Sequence, residues 1–219
     1  MIFGWRSVDD PGDFEAARER MVDGLAGRIE RPSTEAAMRA IPRHEFVPEG
    51  RRDEAYADRP LPIGEGQTVS APHMVAEMVD RLALEPGERV LEIGTGCGYH
   101  AAVTAEVVGP ENVKSVEYHG PLAEAARERL DAMGYGEISV RVGDGWAGWP
   151  EHAPYDAAYL TCAAPEFPPA VVDQLRVSGR ALAPIGTSSQ RLVRLERRPD
   201  DVERERLTRV RFVPMQGGE

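Results

Sequence analysis

The sequence has few of the residues from which disulfide frameworks, metal sites and membrane spans are built. It contains only two cysteines, Cys97 and Cys162, and its five histidines form no HxxxH pair, so we expect neither a disulfide framework nor a metal site. No apolar run approaches the roughly 18 residues of a membrane-spanning helix. The opening segment, MIFGWRSVDD, lacks a basic stretch followed by an apolar core. We therefore expect a cytoplasmic protein with no membrane association.

Lysine is almost absent as well. Lys114 is the single lysine among 26 basic residues, and the net charge is −11 with a pI of about 5.0. This charge disfavours nucleic acid as a partner, because binding to a phosphate backbone needs clustered positive charge. An acidic surface poor in lysine helps a protein to stay hydrated at high salt. A GC-rich genome, which favours arginine, produces the same composition, and the sequence leaves both origins open.

A glycine-rich stretch, RVLEIGTGCGY at residues 89–99, predicts a buried strand that ends in a tight turn and restarts as a helix. Gly94, Gly96 and Gly98 allow positive φ angles and bring backbone N–H groups close to a ligand. Their spacing is GxGxG, whereas nicotinamide and flavin sites usually show GxGxxG. The difference indicates a ligand without a pyrophosphate, and S-adenosylmethionine fits better. For this stretch alone, a turn of purely structural origin remains the alternative.

Helical and strand patterns alternate through the rest of the chain. The alternation predicts an α/β fold with a doubly wound, mostly parallel sheet of the Rossmann-like class, preceded by N-terminal helices. Residues 190–196 and 206–214 alternate apolar and polar positions without a helix between them and predict a closing antiparallel strand pair. The predicted helices cover residues 13–28, 71–84, 101–108 and 121–133, and the other predicted strands cover residues 113–118, 138–142, 155–161 and 180–184.

The chain of 219 residues has the length and composition of a single globular unit, with 42% hydrophobic and 29% charged residues. We expect two parts within it: residues 1–70, with helices and a loop on the substrate side, and residues 71–219, the ligand-binding part. A short helix after Pro32, which Ser33 is placed to cap, precedes a loop over residues 41–68 that is rich in proline, glycine and charge. We expect the whole chain to be monomeric.

Three carboxylates lie where the strands of such a sheet end. Glu92 precedes the glycine turn, Glu117 closes the second strand and Asp144 follows the third. Ligands of doubly wound sheets bind at these ends, and a carboxylate in the position of Glu117 accepts hydrogen bonds from both ribose hydroxyls. Asp144 is placed to accept one from an adenine amino group. A solvated loop carboxylate or a helix cap is the alternative for each of them.

Several blocks of the sequence resemble protein-L-isoaspartate O-methyltransferases, a family of class I S-adenosylmethionine-dependent methyltransferases. GQTVSAP, VGDG and APYDA are specific to that family, whereas the glycine turn is shared by class I methyltransferases at large. The resemblance implies S-adenosylmethionine as cofactor and methyl transfer to the free α-carboxylate of L-isoaspartyl residues in damaged proteins and peptides. The ester then collapses to a succinimide, whose hydrolysis returns some normal aspartate, so that repeated cycles repair the protein.

The resemblance also implies roles for individual residues. Ser70 matches the active-site serine, and residues 67–70 match a segment that closes over cofactor and substrate. Gln190 matches a glutamine near the substrate site, although the alignment there is loose. The positions that match the cofactor site, together with Glu92 from the strand-end analysis, are Gln67, Thr68, Val69, Glu92, Gly94, Gly96, Glu117, Asp144 and Gly145.

Two alternatives bear on the predicted chemistry. Ser70 precedes a predicted helix and is also placed to act as its N-cap. It is not predicted to be a hydrolase nucleophile, because TVSAP is not a GxSxG motif and the sequence suggests no histidine–acid pair to activate it, His73 being interpreted as structural. For the whole protein, the alternative is an aspartate O-methyltransferase that acts in a biosynthetic modification. The TCAAP segment and the negative charge disfavour a nucleic-acid methyltransferase.

Overall fold

A computed structural model of the protein describes residues 13–218 and is built on a seven-stranded sheet, with a separate two-stranded hairpin. The sheet order is β5-β4-β3-β6-β7-β8-β9, in which the first five strands are parallel and β8 and β9 are antiparallel. This confirms the predicted doubly wound sheet with its closing strand pair. The strands are β1 Leu61–Gly64, β2 Gln67–Val69, β3 Val90–Ile93, β4 Val113–Glu117, β5 Ser139–Val142, β6 Tyr155–Leu160, β7 Leu175–Ile185, β8 Gln190–Arg197 and β9 Val202–Val210.

The helices cover the sheet, as the parallel strands require, because strands buried on both faces need a layer of side chains on each side. Every residue of β3 is buried. The two N-terminal helices extend one of these layers, and their apolar side chains join the same hydrophobic cluster as α3 and α4. The helices are α1 Asp13–Asp23, α2 Pro32–Ala40, α3 Pro72–Leu82, α4 Tyr99–Val108, α5 Gly120–Ala132 and α6 Pro169–Asp173.

The start of α2 differs from the prediction that Ser33 caps it. Pro32 occupies the first helical position, where its missing N–H costs nothing, so Arg31 becomes the N-cap residue. The carboxylate of Asp80 in α3 accepts hydrogen bonds from the backbone N–H groups of Glu30 and Arg31, at 3.2 and 2.9 Å. The N-terminal helices are therefore tied to α3 through the chain that enters α2.

The predicted loop over residues 41–68 is more ordered than expected. It holds two 3₁₀ turns, Arg43–Glu45 and Glu49–Glu54, and the hairpin β1–β2. Glu65 and Gly66, both with positive φ, turn the hairpin. The guanidinium group of the buried Arg43 donates to the carbonyl of Ala55 at 2.8 Å and lies 4.8 Å from the centre of the Tyr99 ring. This segment is thereby held against α4.

The C-terminal strands differ in extent from the prediction. β7 begins at Leu175, because the predicted turn at residues 178–179 is a bulge within the strand, with Ser178 at φ +64°. β9 ends at Val210, because residues 213–215 leave the sheet and hydrogen-bond to Ala163 beyond β6, with both backbone N···O distances at 2.8 Å.

In residues 13–218 no helix is long and apolar enough to cross a membrane. Residues 1–12 of the predicted N-terminal part lie outside the described residues.

Candidate active site

A cleft of about 520 Å³, here called the central cleft, lies at the carboxyl ends of the parallel strands. The strand order reverses between β3 and β6, and such a switch point is where ligands of doubly wound sheets bind. Its lining combines apolar side chains with one carboxylate, that of Glu117. The lining includes Ile63, Gln67, Thr68, Ile93, Gly94, Gly96, Val116, Glu117, Gly145, Thr161, Cys162 and Met215.

Two glycines keep the floor of this cleft free of side chains. Gly94 has φ +96°, and a Cβ atom there would lie 2.3 Å from the Oγ1 atom of Thr161. A Cβ atom on Gly145 would lie 2.3 Å from the Cγ2 atom of Ile93. Thr161 and Ile93 already occupy the places that these side chains would need, so both positions require glycine, and both glycines line the cleft.

Glu117 connects the second strand to the glycine turn. Its side chain is only 4% exposed, and its two oxygens accept hydrogen bonds from the backbone N–H groups of Gly96 and His119, at 2.8 and 3.0 Å. A carboxylate has about four acceptor positions, so two remain for a ligand. Glu117 therefore orders the loop that it faces, and its contact with the ribose hydroxyls of a cofactor stays a prediction.

Asp144 lies beside the central cleft, whereas its neighbour Gly145 lines it. The Asp144 carboxylate caps a 3₁₀ turn by accepting from the N–H of Trp146 at 2.9 Å, and it also accepts from the N–H of Gly218 at 2.8 Å. The capping role that the sequence left open is thus present. Hydrogen bonding of Asp144 to an adenine remains a prediction.

Glu92 does not reach the cleft. It is completely buried, and its carboxyl group is hydrogen-bonded by Ser115 and, at 2.9 Å, by Tyr159. Burial raises the pKa of Glu92 to about 8, against the lowering effect of these two hydrogen bonds. The side chain is therefore mostly protonated at neutral pH and supports the strand beneath the glycine turn, and a direct contact with cofactor stays a prediction.

A second cleft, here called the outer cleft, adjoins the first and has a volume of about 860 Å³. Ser70 and His73 lie on one side of it, and Arg209, Arg211 and Phe212 lie on the other. A third, smaller cavity of about 310 Å³, here called the inner cavity, lies between the Val69–Ser70 segment and the glycine turn. Thr68 and Thr161 line all three spaces. These two threonines therefore mark the place where the three spaces meet.

The structure decides against the N-cap alternative for Ser70. α3 begins at Pro72, its N-cap residue is Ala71, and no side chain of that cap accepts a hydrogen bond. Asp58, which lies outside α3, caps the helix instead. Its Oδ1 atom accepts a hydrogen bond from the backbone N–H of His73 at 2.9 Å and contacts Nδ1 of the His73 ring at 2.7 Å. Burial alone raises the pKa of Asp58, but the hydrogen bonds from His73 outweigh it and hold the pKa below its ordinary value.

The Asp58–His73 pair was not predicted from the sequence, but among residues 13–218 no hydrogen bond joins it to Ser70, as expected for a serine that is not a hydrolase nucleophile. Asp58 lies in the segment that was predicted to be a loop, so its approach to α3 depends on the folded path of that segment. Within residues 13–218 His73 pairs with Asp58 rather than with Ser70. The Ser70 hydroxyl, half-buried in the wall of the outer cleft, remains available to a ligand.

The predicted substrate residue Gln190 lies away from both clefts. Its side-chain amide makes two hydrogen bonds to the backbone of Phe212. Nε2 donates to the Phe212 carbonyl at 3.1 Å, and Oε1 accepts from the Phe212 N–H at 2.6 Å. It therefore positions the chain segment that forms one side of the outer cleft. Its direct contact with substrate stays a prediction.

Sequence reasoning missed the contributions of residues 161–162 and 213–216. Thr161 and Cys162 follow β6, and the C-terminal segment lies beside them in the wall of the central cleft. The position of Thr161 at a strand end was the available indication, whereas nothing local marks the C-terminal segment.

Cys97 and Cys162 are both free thiols, and burial raises the pKa of Cys162 to about 12. Among the residues that the structure describes, no group of three His, Cys, Asp or Glu is arranged to hold a metal ion.

Comparison with known sequences gives one family. The family profile described as Protein-L-isoaspartate(D-aspartate) O-methyltransferase matches residues 18–219. The protein-L-isoaspartate O-methyltransferase 2 of Archaeoglobus fulgidus is 49% identical over 208 residues, which cover 94% of this chain and 95% of the relative. A protein-L-isoaspartate O-methyltransferase of Methanothermobacter thermautotrophicus is 50% identical over 206 residues, with coverages of 91% and 95%.

Solved structures give the same result. A protein-L-isoaspartate O-methyltransferase superposes with a TM-score of 0.84 at 30% identity, over 91% of this chain and 66% of the other. A Plasmodium falciparum protein described as a protein-L-isoaspartate O-methyltransferase, in complex with S-adenosyl-L-homocysteine, superposes with a TM-score of 0.81 at 25% identity. That match covers 91% of this chain and 98% of the other.

The capping arrangement at α3 yields a prediction about stability. Replacing Asp58 with Ala removes the acceptor for the first turn of α3, so we expect the free energy of unfolding to fall by about 1 kcal/mol. Ser70→Ala, the matched control, removes a hydroxyl that caps nothing and should change it by less than about 0.5 kcal/mol. Urea unfolding of both variants measures this. A larger loss for Ser70→Ala than for Asp58→Ala would contradict the assignment of the cap.

Proposed function

Because this chain belongs to the protein-L-isoaspartate O-methyltransferase family, we propose that it transfers a methyl group from S-adenosylmethionine to the free α-carboxylate of isoaspartyl residues in damaged proteins and peptides. The observation that carries the proposal is the meeting of two clefts at Thr68 and Thr161, one with the glycine turn and Glu117, the other with Ser70. A methyl donor and an acceptor peptide require such a pair of adjoining spaces.

We assign the cofactor to the central cleft. S-adenosylmethionine supplies a methyl group bound to a positively charged sulfur. The free acceptor positions of the Glu117 carboxylate suit the two ribose hydroxyls. The apolar side chains of the lining, which include Ile93 and Met215, are proposed to limit the access of water to the bound group. The remaining residues proposed for this site are Gln67, Thr68, Val69, Gly96, Asp144 and Gly145, with Glu92 in support beneath them.

We assign the isoaspartyl peptide to the outer cleft. Its carboxylate is ionised at neutral pH, so methyl transfer needs alignment and removal of water more than it needs a base. The Ser70 hydroxyl is proposed to donate a hydrogen bond to one carboxylate oxygen and so to orient the other. Arg209 and Arg211 add positive charge to a cleft whose lining contains no acidic residue, which favours an anionic acceptor.

Three further proposals concern the state of the protein. Residues 1–70 provide the substrate side, through Ser70 and the hairpin, and residues 71–219 hold most of the cofactor site. The protein acts as a monomer in the cytoplasm, and in residues 13–218 the exposed large apolar side chains are Tyr118, Val142 and Val177, each about half exposed. The net charge of −11 supports the absence of a nucleic-acid partner.

Removing the Glu117 carboxylate should weaken cofactor binding. Glu117→Ala leaves the ribose hydroxyls and the N–H of Gly96 without their acceptor, so we expect the affinity for S-adenosylhomocysteine to fall by about 1 to 3 kcal/mol. Calorimetric titration measures the change. The control is Glu111→Ala, which removes an exposed carboxylate just before the opposite end of β4 and should bind normally. Equal affinities for the two variants would remove Glu117 from the site.

Loss of the Ser70 hydroxyl should affect turnover rather than cofactor affinity. If one hydrogen bond of about 1.4 to 2.7 kcal/mol is lost at the transition state, Ser70→Ala lowers kcat by roughly 10- to 100-fold. Steady-state kinetics with an isoaspartyl peptide, and titration with S-adenosylhomocysteine, separate the two effects. Normal turnover of a folded Ser70→Ala protein would show that the hydroxyl does not contact the acceptor.

The proposed activity predicts discrimination between isomers of one peptide. An isoaspartyl link adds a methylene to the main chain and shortens the branch that carries the reactive carboxylate. A site that holds both backbone and carboxylate therefore misplaces normal aspartate, and a misplacement of about 1 Å lowers the rate by about 100-fold. Transfer from labelled cofactor to matched isoaspartyl and aspartyl peptides, at low and high salt, measures this. Equal labelling of both would support the biosynthetic aspartyl alternative, and labelling of neither would refute the proposal.

A further inference from the structure

His100 is a buried histidine that has no role in the proposed function. It is the second residue of α4, directly after Tyr99, and is only 6% exposed. Its ring stacks on the ring of Tyr159, with centroids 4.4 Å apart and an interplanar angle of 29°. Tyr159 is in turn held by hydrogen bonds to Thr104 and Glu92, both at 2.9 Å. The imidazole is thus fixed in one place by its neighbours.

Both ring nitrogens of His100 lack a hydrogen-bond partner among residues 13–218. Buried polar groups nearly always have a hydrogen-bond partner, and leaving one without a partner destabilises the fold. An apolar side chain of similar size would avoid that cost, so packing against Tyr159 alone does not account for a histidine here. Burial lowers the pKa of His100 to about 3, so the ring is neutral at physiological pH and carries one N–H donor and one acceptor.

His100 is one of the residues that line the inner cavity. The other residues that line it include Ser70, Thr95 and Gly96, so His100 lies between the Val69–Ser70 segment and the glycine turn. The cavity also adjoins the first turn of α4, a helix of ten residues whose N-terminal end favours negative charge. A neutral donor at a helix N-terminus, next to a serine hydroxyl, is suited to an anion with two oxygen atoms.

We propose that His100 donates a hydrogen bond to a carboxylate group bound in the inner cavity. This inference rests on the proposed function, in which both reactants carry a carboxylate: the amino-acid tail of the cofactor and the isoaspartyl acceptor. Either one would satisfy the orphaned ring, and they share the same chemistry. His100 is then a binding residue that fixes one reactant relative to Ser70, and it transfers no proton.

Two substitutions of similar volume separate hydrogen bonding from packing. His100→Leu removes the donor and fills the site with an apolar group, whereas His100→Gln retains an N–H donor. Melting temperatures establish that both variants are folded. The ligands are S-adenosylhomocysteine, which carries the tail carboxylate, and 5′-methylthioadenosine, which lacks it. Affinities come from calorimetric titration, and kcat and KM come from methyl transfer to an isoaspartyl peptide.

If the cofactor carboxylate is the partner, His100→Leu weakens S-adenosylhomocysteine binding by about 10- to 100-fold and leaves 5′-methylthioadenosine unaffected. If the acceptor carboxylate is the partner, S-adenosylhomocysteine binds normally and kcat/KM for the peptide falls by a similar factor. In either case His100→Gln restores a large part of the loss.

The opposite result is equally specific. If His100 has only a structural role, the leucine variant should be at least as stable as the parent protein, because a buried unsatisfied group has been removed. Its affinities for both ligands and its kinetics should then be unchanged. That outcome overturns the proposal, as does a glutamine variant no better than the leucine variant. If the unmodified protein binds S-adenosylhomocysteine but methylates no isoaspartyl peptide, the proposed function fails instead, and the titration arm still tests His100.

Discussion

The hydrogen bond from the N–H of Gly96 to the carboxylate of Glu117 is the contact on which the arrangement of the site depends. It is possible only because β3 and β4 pair in parallel with Ile93 opposite Val116, which sets the glycine turn beside the end of β4. The N–H of Gly94 reinforces this by donating to the carbonyl of Val116 at 2.8 Å. A shift of register by one residue would turn the Glu117 side chain to the other face of the sheet, away from the loop.

Beneath this contact lies a polar network inside the sheet. Glu92 bonds to Ser115 on one neighbouring strand and to Tyr159 on the other, and Ser115 also meets Thr95 at 2.6 Å. Fully satisfied networks of this kind fix one arrangement of a core, because any other arrangement leaves a buried polar atom without a partner. Glu92 therefore holds three parallel strands together at the height where the glycine turn begins, and its raised pKa spares the core a buried charge.

The parts of this structure that could be predicted are those with a local cause. Short apolar runs that are bounded by glycine mark β3 and its turn, and the spacing from Gly94 places Glu117 at the end of the next strand. What escaped prediction depends on residues that are distant in the chain. Asp58 caps a helix that starts well after it, and residues 213–215 leave a strand pattern because Ala163 offers backbone partners. The spacing of apolar and polar residues along the sequence gives no indication of such contacts.

The loop after β6 connects the C-terminal segment to the glycine turn. The Thr161 hydroxyl donates to the carbonyl of Gly94 and fills the place that a side chain at that glycine would need. Two residues on, Ala163 binds the backbone of Val213 and Met215, and this C-terminal segment lines both clefts. The C-terminal segment and the glycine turn are therefore linked through hydrogen bonds made by Thr161 and Ala163. We propose that this linkage holds the two clefts in a fixed relation, which suits methyl transfer because its rate depends on the distance between the bound donor and acceptor.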